Sequence, residues 1–181
     1  FIPDTVSKSS VTPESSYIVG ETFGDFQAML ADIPVELGET IKDFHNIEFR
    51  LQQFHDAVKE DKMGRAAGVK DIIDEIEKRA DSMCKSEKLF REGKLPKRIC
   101  HCDTKVDNIL FDQNDNVLCV IDLDTVMPSF IFSDFGDFLR SAANTQAEDS
   151  PEYDKIAFRM DIFKAFTEGY LKTARAFLTP I

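Results

Sequence analysis

Between residues 12 and 95 the apolar positions recur every three or four residues. In VTPESSYIVGETFGDFQAMLADIP, Thr12 reads as an N-cap and Pro13 as the first helical residue, and Val19, Phe23, Phe26 and Leu30 share one stripe. This predicts an amphipathic helix that stops near Pro34. FHNIEFRLQQFHDAV predicts a second, with Phe44, Ile47, Leu51, Phe54 and Val58 on one face. A third is expected over roughly Ala66 to Arg91, with Val69, Ile72, Ile73, Ile76, Ala80 and Met83 turned inward, and with Gly93 and Pro96 closing it. The period then changes. RICH, NILF and VLCVI are short apolar runs, and DQNDN between the last two reads as a hairpin connection. Helical spacing resumes at about 135 to 146 and again at about 152 to 172, where Ile156, Met160, Phe163 and Tyr170 mark the expected buried stripe. Residues 1 to 11 read as irregular.

These elements make a mainly helical α+β chain: helical over 12–95, a small strand region over 98–128, and helical again over 134–175. Its 181 residues suit one domain or one lobe of something larger. The start at Phe1, inside the apolar FIP, reads as an excised piece of a longer protein. With 22 Lys+Arg against 33 Asp+Glu the formal charge is -11. That balance argues against nucleic acid as a partner, because phosphate backbones are held by cationic surface. An anionic ligand therefore needs a metal ion or a local basic group. No run approaches 18 apolar residues and no signal peptide is visible, so no membrane partner is expected and a cytoplasmic location is the default. Oligomeric state is not legible.

Cys84, Cys100, Cys102 and Cys119 mostly accompany apolar runs, where free cysteine behaves as a small hydrophobe. The string CHCD at 100 to 103 invites a zinc reading, yet a structural zinc site takes four convergent ligands and no second pair exists. A cysteine–histidine nucleophile is also poorly served, because neighbouring side chains of an extended segment point to opposite faces.

The chemistry concentrates in HCDTKVDNILF and VIDLDT. Phosphoryl transfer needs a carboxylate to orient the attacking hydroxyl, and an amide oxygen with a second carboxylate to hold the magnesium that neutralises the phosphates. Asp103 and Asn108 lie on one loop. Asp122 ends the partner strand of a hairpin whose first strand Asn108 opens, so Asn108 and Asp122 are expected to be neighbours.

Those residues resemble the kinase-like phosphotransferases of the aminoglycoside phosphotransferase and choline kinase type, which share the bilobal protein-kinase architecture. More narrowly, HCDTKVDNILFD, CVIDLDTVMP and SDFGDFLR together resemble the bacterial N-acetylhexosamine 1-kinases, which use ATP to phosphorylate the anomeric hydroxyl of the sugar. The resemblance implies the carboxy-terminal lobe of a protein-kinase-like fold spanning 1–181. It also implies Mg²⁺ and ATP as cofactors and a small-molecule sugar as substrate. The catalytic aspartate falls on Asp103, and the nucleotide–metal ligands on Asn108 and Asp122. Asp124 serves a second metal ion, the substrate or the loop's own hydrogen bonding. Lys105 stands where many protein kinases place a lysine against the transferred phosphate, although many antibiotic kinases carry histidine there. His101 reads as a buried support of the loop. His45 and His55 accompany helices and read as structural or exposed, and Asp107 and Asp112 read as turn or solvent-facing carboxylates.

The superfamily's nucleotide lobe brings a phosphate-covering loop and a strand lysine, and nothing before residue 98 has that pattern. The amino-terminal lobe and the final helices are therefore expected to lie outside this chain, and the isolated chain to be inactive. The same fold with another sugar, an amino alcohol or an antibiotic as acceptor is the main alternative. A pseudokinase-like binding module is disfavoured by the intact Asp103, Asn108 and Asp122, and a sulfatase-like hydrolase by the absence of a Cys or Ser followed by its Pro and Arg. The literal DFG in SDFGDF does not supply the magnesium aspartate. Asp134, with Asp137 three residues on, resembles a helix capping box, while the superfamily's aspartate at this place braces the catalytic loop.

Overall fold

Helix α1, Pro13–Met29, starts where the sequence predicts. Thr12 Oγ1 accepts the Ser15 N–H at 3.2 Å, and Ser15 Oγ accepts the Thr12 N–H at 2.9 Å, a reciprocal cap with proline at the first turn. The computed structural model describes residues 2–147 and 149–178. The chain divides into two compact units, Phe1–Thr40 with Arg98–Pro180, and Ile41–Lys97.

In the first unit α1 packs along α6, Met160–Ala174, the last helix among the described residues. The approach is nearly backbone to backbone. A Cβ on Gly169 would come within 1.9 Å of the Tyr17 carbonyl oxygen, and one on Gly20 within 2.3 Å of the Phe166 oxygen. Val19, Phe23, Ile162 and Phe166 fill the seam, and Phe166 stacks on Phe138 of α5, Ile131–Ala142, with ring centroids 3.9 Å apart. The α6 stripe differs from the expected one. The helix begins only at Met160, after a 3₁₀ turn at Tyr153–Lys155, so its buried face runs through Ile162, Phe166, Gly169 and Tyr170, whereas Ile156 and Met160 are exposed.

Two small sheets complete this unit. β3, Ile109–Phe111, and β4, Val117–Val120, form the predicted hairpin, with Ile109 opposite Val120. A strand the sequence did not announce, β1, Val6–Ser7, adds to its other edge with Val6 opposite Phe111. β2, Arg98–Cys100, pairs instead with β5, Met127–Ser129, a strand the apolar runs did not announce; Ile99 lies opposite Pro128. In a two-stranded ladder the missing proline N–H costs little, because an edge position need not donate.

The second unit contains α2, Ile47–Glu60, capped by Asn46, then a 3₁₀ turn at Ala66–Val69, α3, Lys70–Met83, and α4, Lys85–Arg91. One helix over 66–91 was expected. It is broken at both ends of α3, and neither Pro nor Gly marks the break at Cys84. Gly93 ends α4 with φ 69°, a left-handed conformation, and the Lys94 N–H closes on the Leu89 carbonyl at 2.9 Å. The predicted stripes of α2 and α3 are only half-buried, and Val69, Ile72 and Met83 are exposed. A unit this small buries one narrow seam, not a rounded core.

Candidate active site

The segment joining β2 to β3 is held in place by side chains from elsewhere in the first unit. At its root, Cys102 takes a left-handed backbone, φ 66°, which aims two successive N–H groups at one carboxylate. Asp134 Oδ2 accepts the His101 N–H at 2.9 Å and Oδ1 accepts the Cys102 N–H at 2.8 Å. Gln27 of α1 adds an N–H to Oδ2 at 2.8 Å. Asp134 is buried in the first turn of α5, whose N-cap is Phe130, so it does not cap that helix. Burial pushes its carboxyl up from the ordinary aspartate value, opposed by the N–H groups of Cys102, His101 and Gln27.

Further anchors follow along the segment. Thr104 N–H donates to Asp137 at 2.9 Å and its hydroxyl to the Asp134 carbonyl at 2.6 Å, while Thr125 Oγ1 donates to the His101 carbonyl at 2.8 Å. The His101 ring is fully buried between Phe23 and Phe26. Its Nδ1 accepts the Asp103 N–H at 3.3 Å, so Nε2 carries the proton and donates to the Ile121 carbonyl at 2.9 Å. One ring thus ties the backbone of Asp103 to the strand that leads into Asp122.

The sequence-predicted residues meet around this frame. Asn108, at the end of the 3₁₀ turn Val106–Asn108, spends its NH₂ on the Asp103 carbonyl at 2.8 Å and on Asp103 Oδ2 at 3.1 Å, which leaves its amide oxygen as the donor atom for a cation. Lys105 Nζ lies 3.6 Å from Asp103 Oδ1. The Ile121 N–H donates to the Asn108 carbonyl at 2.9 Å, so Asp122 follows directly on the residue paired with Asn108. Asp122 takes a left-handed conformation, φ 62°, one that aspartate tolerates better than most residues. Asp124 follows in the 3₁₀ turn Leu123–Thr125, and both carboxylates are exposed.

The charge pattern fits a divalent cation. Asp124, and more weakly Asp103, push the Asp122 carboxyl above its ordinary value, repulsion that a hard cation with oxygen ligands relieves. Among the described residues no group of three or more His, Cys, Asp or Glu converges as a metal site, and the set at issue here joins two carboxylates to an amide. Beside Lys105 opens a cavity of about 490 Å³ whose polar lining includes Ser9, Asp107, Ser141 and Asp149.

The remaining candidates fall elsewhere. Burial raises both thiols at the loop's root, Cys102 to about 12, and the charge of Asp134 adds to the effect, so neither is a ready nucleophile. Asp112 accepts the Asn114 and Asn116 N–H groups within the hairpin turn, and Asp107 is exposed. His55 pairs with Glu77 in the second unit, and His45 stacks on Phe44. Thr104, Thr125 and Gln27 were not singled out from sequence, and Asp137 was read there as a capping partner of Asp134, not as the acceptor of the Thr104 N–H. Only Gln27 carried a signal, as a polar residue four positions after Phe23 on the apolar stripe.

The chain belongs to the phosphotransferase enzyme family (APH), whose profile matches residues 1–174. Membership implies a kinase-like fold, with ATP and a small molecule as the reactants; kinases of this family generally use ATP and Mg²⁺. Among the described residues no helix is long and apolar enough to cross a membrane.

Proposed function

We propose that the protein containing this chain is an ATP-dependent small-molecule kinase that phosphorylates a sugar hydroxyl, the anomeric hydroxyl of an N-acetylhexosamine, and that this chain contributes its carboxy-terminal lobe. The observation that carries the reading is Asp103 held by Asn108, flanked by Lys105 and near enough to Asp122 for the two charges to repel. Asp103 orients the acceptor hydroxyl for in-line attack on the γ-phosphorus and takes its proton as the new P–O bond forms and the bond to the ADP oxygen breaks. Lys105 offers positive charge to the transferred phosphoryl group in a protein otherwise short of it. Asn108 and Asp122 hold Mg²⁺, with Asp124 beside them, and the ion neutralises the phosphate oxygens when bound. His101 and Asp134 keep the loop in register.

The substrate class draws support from the resemblance of HCDTKVDNILFD and CVIDLDTVMP to the N-acetylhexosamine 1-kinases. Asp103→Asn in the full-length protein is expected to cut phosphorylation of N-acetylglucosamine at least about a hundredfold with the fold retained. A folded Asp103→Asn enzyme of near wild-type rate removes Asp103 from this role. Strong turnover of an aminoglycoside or an amino alcohol, with none of the sugar, replaces the substrate assignment and keeps the kinase.

A further inference from the structure

We propose that Gln27 is a positioning residue for the catalytic loop: with Tyr170 fixing the direction of its amide, it sets the plane of the Asp134 carboxylate that gathers the His101 and Cys102 N–H groups. The proposal rests on the reading of Asp103 as the residue that orients the acceptor.

Asp134 uses both oxygens to grip two successive N–H groups, which works in one orientation of the carboxylate plane. The terminal torsion of aspartate is soft and does not choose that plane by itself. The Gln27 N–H at 2.8 Å supplies the missing restraint on Oδ2. Both Asp134 oxygens accept N–H groups, so the NH₂ end of the Gln27 amide faces them and its oxygen end must then find a donor. Tyr170 on α6 provides one, its hydroxyl donating to Gln27 Oε1 at 2.6 Å. Burial first, and the charge of Asp134 second, push the Tyr170 hydroxyl up, so it keeps the proton it donates. Gln27 and Tyr170 are both buried, at 3% and 4% exposure. A line of hydrogen bonds therefore runs from α6 through α1 and α5 to the backbone immediately before Asp103, between residues 143 and 107 positions apart.

The titratable groups around Asp134 are His101, Cys100 and Cys102 on the strand and loop, Tyr170 on α6, and Asp137 on its own helix. Gln27 itself carries no charge. Gln27→Glu keeps the shape but donates only when protonated, so it introduces a titration that packing alone would not feel: two adjacent buried carboxylates share one proton, and raising the pH removes it.

The experiment uses the full-length protein with ATP and N-acetylglucosamine. Gln27→Leu is expected to lower kcat about tenfold at every pH with both KM values near wild type, and Tyr170→Phe about threefold. Gln27→Glu is expected to lose a similar factor at pH 8 and to regain activity toward pH 6. Amide hydrogen exchange should quicken at His101 and Cys102 in Gln27→Leu, with α1 and α6 still protected. Exchange needs no turnover, so a protein that phosphorylates nothing defeats the functional reading while this readout still judges the relay. Unchanged exchange at His101 and Cys102, a Gln27→Glu profile parallel to wild type, or an even loss of protection along α1 and α6 would overturn the proposal.

Discussion

In the unit of residues 1–40 and 98–180, Val19, Phe23, Ile162 and Phe166 are sealed from solvent and α1 meets α6 through glycines. In residues 41–97, by contrast, neither α2 nor α3 has a fully buried side chain. The second unit relies on exposed charge pairs: a two-pronged Arg91–Glu48 contact at 2.7 and 2.8 Å, with Lys70–Asp74 and Arg79–Glu75 along α3. Such pairs contribute little each and weaken in salt. All the candidate catalytic residues lie in the first unit. A loop whose backbone is fixed by buried Asp134, Thr104 and Thr125 needs neighbours that do not move, and only the densely packed unit offers them.

The contrast makes graded expectations. Gly169→Ala should be the most damaging change, because the new methyl meets backbone at Tyr17 that cannot yield. We expect a loss of about 3 kcal/mol, measured by denaturant unfolding. A midpoint within error of wild type would mean that α1 and α6 are not in contact as described. Arg91→Ala should lower the melting temperature by only about 1–2 °C, less in high salt. Its hydrogen bond with Arg91 holds the Glu48 carboxyl below the usual glutamate range. The contribution is therefore present at neutral pH and disappears as pH falls through that lowered value. A melting temperature whose acid dependence is the same with and without Arg91 would count against the pair. Ile72→Ser, at a position 57% exposed, should stay within about 0.5 kcal/mol of wild type. A larger loss would show that this face is covered in the intact protein.

What could be read in advance followed from local pattern. Thr12 and Pro13 announce α1 by chemistry within one turn, and NILF and VLCVI announce the hairpin by alternation around a polar turn. The closeness of Asp103 and Asn108 was legible because both lie on one loop, and the return of the chain at Asp122 because a hairpin folds its second strand back to the start of its first. The α6 stripe was misphased because Ile156 precedes the helix and Met160 opens it on the exposed side, although both continue the apolar rhythm. β1 is two residues long, too short to show alternation, and β5 hid behind Pro128. Gln27, Thr104 and Thr125 escaped because each earns its role from a partner 24 to 107 residues away, and no short window contains both members.

The pairing of α1 with α6 also orders events in time. Ser16 of α1 donates to the Ile162 carbonyl 146 residues later, so α1 leaves a ribosome well before the helix that covers its apolar face. At about 5–20 residues per second that interval is roughly 7–30 s, during which Val19, Phe23 and Phe26 have no native partner on α6. Ribosome-bound chains ending before residue 160 should remain sensitive to protease across α1, and early protection there would mean that α1 finds shelter without α6.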